Sequence, residues 1–293
     1  MTPAAEAAPV PLERGILAQI AISIVRDRVS LFFLLVLVAI VLLAIFADRI
    51  APYDPIAQSL LSINLPPSVE HWLGTDQFGR DVLSRIIYGA RTSLLLGVTA
   101  PAIAAVIGTA FGVTAGYFGG WTDRIISRFL DIFLAFPALL LGILIAAALG
   151  AGFWNMVVVL TVAFAPRFAR IARASTMSVR SEAFIEAAIA SGMRTPAIML
   201  HHILPNIAGS IVVVLTLWIA TAVRLEATLS FLGLGTQPPK ASWGNIIRDG
   251  LGNLFGSPWP IVAAGLAITL TVLAFNMLGD AVRDILDPEA RDE

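Results

Sequence analysis

Charged residues fall in clusters along this chain, and the stretches between them are long and apolar. No Asp, Glu, Lys or Arg occurs in 29–47, 92–122, 132–166, 195–223 or 250–279. A helix needs about 20 apolar residues to cross a hydrocarbon core, so four of these runs hold one span each. Punctuation trims two of them: His201, His202 and Pro205 move one start to near Asn206, and the Gly/Asn/Pro-rich 252–260 moves another to near Ile261. Run 132–166 exceeds one span, and Gly150-Ala151-Gly152 divides it into helices near 125–149 and 153–172. Arg167, Arg170 and Arg173 extend the second, with side chains expected to snorkel to the interface. The pattern predicts an all-α polytopic membrane protein with six transmembrane helices, near 29–47, 94–117, 125–149, 153–172, 206–226 and 261–279. Six spans place both termini on one side.

Three segments outside the spans carry structure of their own. In the outer segment 48–91, Thr75-Asp76 reads as a helix cap, and Phe78, Val82, Ile86 and Ala90 follow at i, i+4 spacing. This predicts an amphipathic helix on the outer interface, serving as a lid over the helices or as a contact for an external protein. In the inner segment 167–205, a helix of good formers ends at Gly192, and Thr195-Pro196 caps a second short helix that stops near Pro205. Residues 174–205 thus make a compact two-helix knob whose mixed apolar and charged surface suits a partner's groove. The plainer reading is a loop joining two spans. The outer segment 227–258, with Gly233, Gly235, Pro238 and Pro239, reads as irregular, with Trp243 at the interface.

Composition narrows the class. The 293 residues are 58% hydrophobic and 13% charged, against about 25% charged in a soluble domain, so a polar shell cannot be built. Disorder is excluded by the same balance. A net charge of −1 without massed basic residues gives nucleic-acid binding no support. The absence of cysteine excludes disulfides, thiolate metal sites and cysteine nucleophiles. With the N-terminus inside, inner segments hold 12 basic residues and outer ones 6, which places both termini in the cytoplasm. Residues 1–28 are then a cytoplasmic tail with an interfacial helix over 16–27, and 281–293 a second cytoplasmic tail flanking a membrane domain of 29–280. The apolar stretch 15–25 is too short to span and lacks a small-x-small site, so no cleavage is expected.

Glu186-Ala187-Ala188, Gly192 and Leu204-Pro205 together resemble the EAA loop of ABC-importer permeases, with His202 where isoleucine is usual. Residues 71–85 (including Asp76, Arg80 and Asp81), 226–235 from Glu226 onward, and 276–288 resemble the dipeptide/oligopeptide/nickel permease family in its C-type subunit. The resemblance implies a bacterial inner-membrane chain that works with a homologous permease, two cytoplasmic ABC ATPases and an extracytoplasmic solute-binding protein. It also implies that Glu186, Ala187, Ala188, Gly192, His202, Leu204 and Pro205 couple to the ATPases, Ala187, Ala188 and Gly192 by permitting close approach and Glu186 by a charged contact. Asp76, Arg80, Asp81 and Glu226 become candidates for the outer loop or gate. No G-x-x-x-x-G-K-[ST] loop is present, and the sole lysine is Lys240. This chain is therefore expected to bind no cofactor, with ATP and Mg held by the partner ATPases. The implied cargo is di- or oligopeptides; nickel or another small solute is the alternative, and a single-chain secondary transporter is the rival class.

The remaining features are structural candidates. Gly108, Gly112, Gly116 and Gly120 recur every fourth residue, which permits close helix packing within the chain or against a second permease. Asp131 and Arg128 are spaced for an i, i+3 pair. Arg224 and Glu226 are two apart and do not face each other. His201 and His202 lie on the opposite side from His71, so no metal site is expected. The spans contain no Ser/His/Asp set or carboxylate pair, so no catalytic residue is assigned.

Overall fold

The computed structural model describes residues 25–286, where all regular structure is helical apart from one bridge between Thr75 and Asp81. Five helices are long and apolar enough to cross a membrane, or six if one bent pair counts as a single span. The interfacial helix expected over 16–27 lies almost wholly outside the described residues, as does the end of the C-terminal tail. Helix α1 (Arg28–Ile45) starts at Asp27, whose carboxylate accepts the Ser30 N–H at 2.8 Å. A single turn, α2 (Ala47–Ile50), follows.

Helix α3 (Val82–Phe118) corrects two expectations at once. There is no separate interfacial helix before the span; one 37-residue helix contains both. Its cap is Asp81, accepting the Ser84 N–H at 2.8 Å, not Thr75-Asp76. Residues 75–81 are closed into a tight loop by the Thr75–Asp81 bridge, and Asp76 Oδ1 accepts the N–H groups of Phe78 and Arg80. Those backbone donors are already used, so the helix starts only after them. Val82 and Ala90, read as interfacial, are buried within the fold.

Helices α4 (Gly120–Leu134) and α5 (Ala138–Leu149) replace the straight span expected over 125–149. Their axes bend by 88° at a break that holds Pro137. Proline lacks the N–H and pushes the preceding Phe136 out of helical geometry. The 12 residues of α5 cover about 18 Å, too little to cross alone.

Helix α6 (Phe153–Arg180) runs past 172 and is capped by Ser181, so the first helix of the knob is only α7 (Ala183–Ala190). The second, α8 (Thr195–Ile198), does not stop at Pro205. A π turn, Met199–Ile203, joins it to α9 (Leu204–Phe231). Pro205 cannot donate to the His201 carbonyl and its ring crowds that turn. In the wider π turn the Leu204 N–H reaches Met199 O instead, and the rod continues.

Helix α10 (Trp243–Gly250) occupies the segment read as irregular. Ser242 and Asn245 form a reciprocal capping box there. Trp243 is not interfacial: it is 1% exposed, and its indole N–H donates to Ile86 O at 3.1 Å. Helix α11 (Trp259–Leu286) closes the bundle.

The closest packing is between α3 and α6. A Cβ added at Gly108 would stand 2.7 Å from Phe168 Cβ, at Gly112 2.7 Å from Ala172 Cβ, and at Gly116 2.8 Å from Thr176 Cβ. These three glycines therefore serve packing within the chain. Gly120 does not join them; it opens α4 at φ +55° with nothing nearby. Apolar helices gain little from burial in lipid, so close van der Waals approach holds this pair. Gly112→Leu is expected to cost more than the usual 1–3 kcal/mol of overpacking, because the neighbouring atoms include backbone. The check is the melting midpoint and monodisperse yield in detergent, with Gly265→Leu, where the space is open, as the tolerated control.

Candidate functional site

The end of the bundle that the charge pattern assigns to the cytoplasm carries a platform made of α7, the Gly192 turn and α8. Ile185, Ala188, Ile198, Ile203 and Ile207 are buried and pack with Val113 and Tyr117 of α3 and Ala172 of α6. Burial of these side chains fixes the platform to the helix pair with the tightest packing. Ala188, expected to face a partner, instead faces the chain's own core. Glu186, Ala187, Gly192 and Pro205 are exposed, Leu204 is 37% exposed, and His202 is half-buried with its ring 6.3 Å from that of Phe184. Gly192 sits at φ +79°, with its N–H on Ile189 O and the Met193 N–H on Ala188 O. That left-handed turn reverses the chain between the two short helices. Phe184, Ile189 and Met193 are exposed beside Glu182, Glu186 and Arg194, a surface of apolar and charged groups.

The opposite end holds a buried charge cluster. Arg80 reaches Asp76 at 2.7 Å and Asp249 at 3.0 Å; Arg85 reaches the same two carboxylates at 3.5 and 3.4 Å. All four side chains are at most 12% exposed. The cluster ties the 75–81 loop and α3 to α10, which are far apart in sequence. Asp81 stands beside it, not within it, capping α3 and pairing with His71 Nδ1 at 2.9 Å. Asp76, Arg80 and Asp81 stand out in the sequence; Arg85 and Asp249 meet in the cluster only through α10, which the glycines and prolines of 227–258 do not announce. Nearby, Arg91 donates to the Ala44 and Ile45 carbonyls at the end of α1 and pairs with Asp48 at 3.0 Å. The Arg91 guanidinium and the Tyr88 hydroxyl hold the Asp48 carboxyl below its ordinary range.

Glu226 lies apart from that cluster, fully buried on α9. Its Oε1 accepts from Ser230 at 2.7 Å, while Oε2 has no hydrogen-bond partner among the described residues. It lines no open surface. A ladder of arginines runs along α6. Arg173 pairs with Asp123 and Arg170 with Asp131 at 3.2 Å, both carboxylates coming from α4. Asp131 thus pairs across helices rather than with Arg128, and these arginines reach α4 rather than snorkelling. Among the described residues no group of three or more His, Asp or Glu is placed to hold a metal.

Known proteins share both the fold and the sequence pattern. Residues 108–292 match the family described as binding-protein-dependent transport system inner membrane component, and residues 17–67 match the N-terminal TM domain of oligopeptide transport permease C. The dipeptide transport system permease protein DppC of Alkalihalophilus pseudofirmus is 43% identical over 91% of this chain and 88% of its own length. The glutathione transport system permease protein GsiD of Escherichia coli O157:H7 is 43% identical over the same shares. An inward-facing crystal structure of the MetNI methionine ABC transporter superposes with a TM-score of 0.57 at 21% identity, over 69% of this chain and 97% of that one. An all-helical bundle of apolar spans, matched over most of its length, carries the assignment: this chain belongs to the inner-membrane permease components of binding-protein-dependent ABC importers, in the branch with the oligopeptide permease C N-terminal domain.

Proposed function

We propose that this chain is one of two permease subunits of an ATP-driven importer of di- or oligopeptides. It pairs with a homologous permease, receives two cytoplasmic ATPases and takes cargo from an extracytoplasmic binding protein. The chain itself holds neither ATP nor Mg, and both termini face the cytoplasm. The observation that carries the reading is the platform: Glu186, Ala187 and the Gly192 turn are exposed, while the rod beneath them runs without a break into α9. ATPase closure against such a surface moves a spanning helix directly, which is what alternating access requires. The names of the relatives, dipeptide and glutathione permeases, support peptide cargo over nickel.

The test is reconstitution. The full assembly in proteoliposomes takes up labelled dipeptide only with ATP and the binding protein, and this chain alone takes up none. Gradient-driven uptake by the isolated chain would establish a secondary transporter instead. Uptake of nickel but not of peptide by the assembly would overturn the cargo.

A further inference from the structure

Arg167 is the arginine of the α6 ladder that the platform and the packing leave unexplained. Arg170 and Arg173 each meet a carboxylate of α4; Arg167 meets none among the described residues. It is half-buried and lies 14 residues past Phe153, about 21 Å along the helix, which is less than the roughly 30 Å of a hydrocarbon core counted from that end. It does not snorkel. Its guanidinium turns back to the carbonyl of Ala163, toward the middle of the span, and stacks 5.1 Å from the Trp218 ring of α9. Phe164 packs the same indole at 5.1 Å. A cation at this depth cannot face lipid acyl chains without large cost, so this face borders a watered path or another subunit. An inward turn also takes the guanidinium away from the headgroups, which disfavours a lipid phosphate as its anion.

We infer that Arg167, stacked on Trp218, is a station in the translocation path that receives a carboxylate of the passing peptide. This rests on the peptide reading above. The chemistry fits a transit site. A guanidinium offers paired N–H donors to a carboxylate, and one of its donors here is held by Ala163, leaving others open. Trp218 belongs to α9, the helix continuous with the platform, so the cation lies at the seam between the driven helix and α6. Movement of α9 changes how the guanidinium is covered, and a carboxylate held there is taken up or released with it.

The test compares a labelled dipeptide with its C-terminal amide, in proteoliposomes holding the full assembly, both at concentrations that saturate the binding protein. With the native chain the acid is imported faster. In Arg167→Gln the initial rate for the acid falls about tenfold or more while the amide is unaffected, so the ratio approaches one. Arg167→Lys retains part of the preference. The unchanged amide rate shows that the variant has folded and assembled. Equal loss of acid and amide overturns the inference, as expected if Arg167 pairs with a carboxylate of the second permease or merely supports the fold. An unchanged ratio, or a lysine that restores nothing, overturns it as well. If the native assembly imports neither cargo, the peptide reading itself fails, and that result is distinct from the others.

Discussion

Asp76→Ala is expected to destabilise the end of the bundle that holds the charge cluster by about 3–5 kcal/mol, the usual cost of removing one member of a buried ion pair. The change leaves Arg80 and Arg85 sharing Asp249, two buried cations over one carboxylate. It also frees the Phe78 and Arg80 N–H groups that Asp76 Oδ1 accepts at 2.9 and 3.0 Å, opening the 75–81 loop. Asp76→Asn is expected to cost less, because the amide oxygen can still accept from the loop. The measurements are the melting midpoint in detergent and amide exchange over 75–85. Exchange should accelerate there and in α10, while the α3–α6 seam stays protected. A midpoint and exchange pattern equal to the native chain would remove the structural role of the cluster.

Glu186→Lys is the complementary case, with a large effect on transport and almost none on stability. Glu186 is exposed, and its side chain has no hydrogen bond or ion pair among the described residues. Surface changes of this kind usually stay within about 0.5 kcal/mol. Any larger consequence must arise at a partner. Uptake by the full assembly is expected to fall at least about tenfold, the equivalent of losing one charged contact across an interface. Copurification of the ATPases should weaken in step. Ala188→Lys separates the two faces of α7: it drives a charge into the Ile185, Ile198 and Ile203 cluster and should lower the melting midpoint before any partner is added. If Glu186→Lys transports normally, the platform does not use this face.

The helical membrane character was legible because charge and hydropathy act along the chain. Spans as apolar as α1 and α11 admit no other reading. What escaped was set by local backbone chemistry or by distant partners. Pro137 lies in the same uncharged run as Gly150 and Gly152, and only the bend of 88° shows that it breaks the helix as well. Pro205 looked like a stop, yet the π turn before it absorbs the missing donor. Trp243 carries the mark of an interfacial aromatic, but a capping box from Ser242 and Asn245 seats it in the core. For the platform, the pattern of Glu186, Ala187, Ala188 and Gly192 was visible; which of them faces outward was not. That depends on Val113 and Tyr117, some seventy residues earlier.

The continuous rod from Thr195 to Phe231 spans 37 residues, about 55 Å. One end of it joins the platform and the other carries Glu226, packed beside α3 and α10. One continuous helix with two ends obliges the two sides to answer each other equally. Whatever free energy the proposed ATPases spend at the platform in shifting the far end, a ligand on that far end must return as a change in their grip on the platform. In the importer proposed above, a loaded binding protein on one side and ATP on the partner ATPases on the other act as two ligands of one lever, each measurable through the affinity of the other.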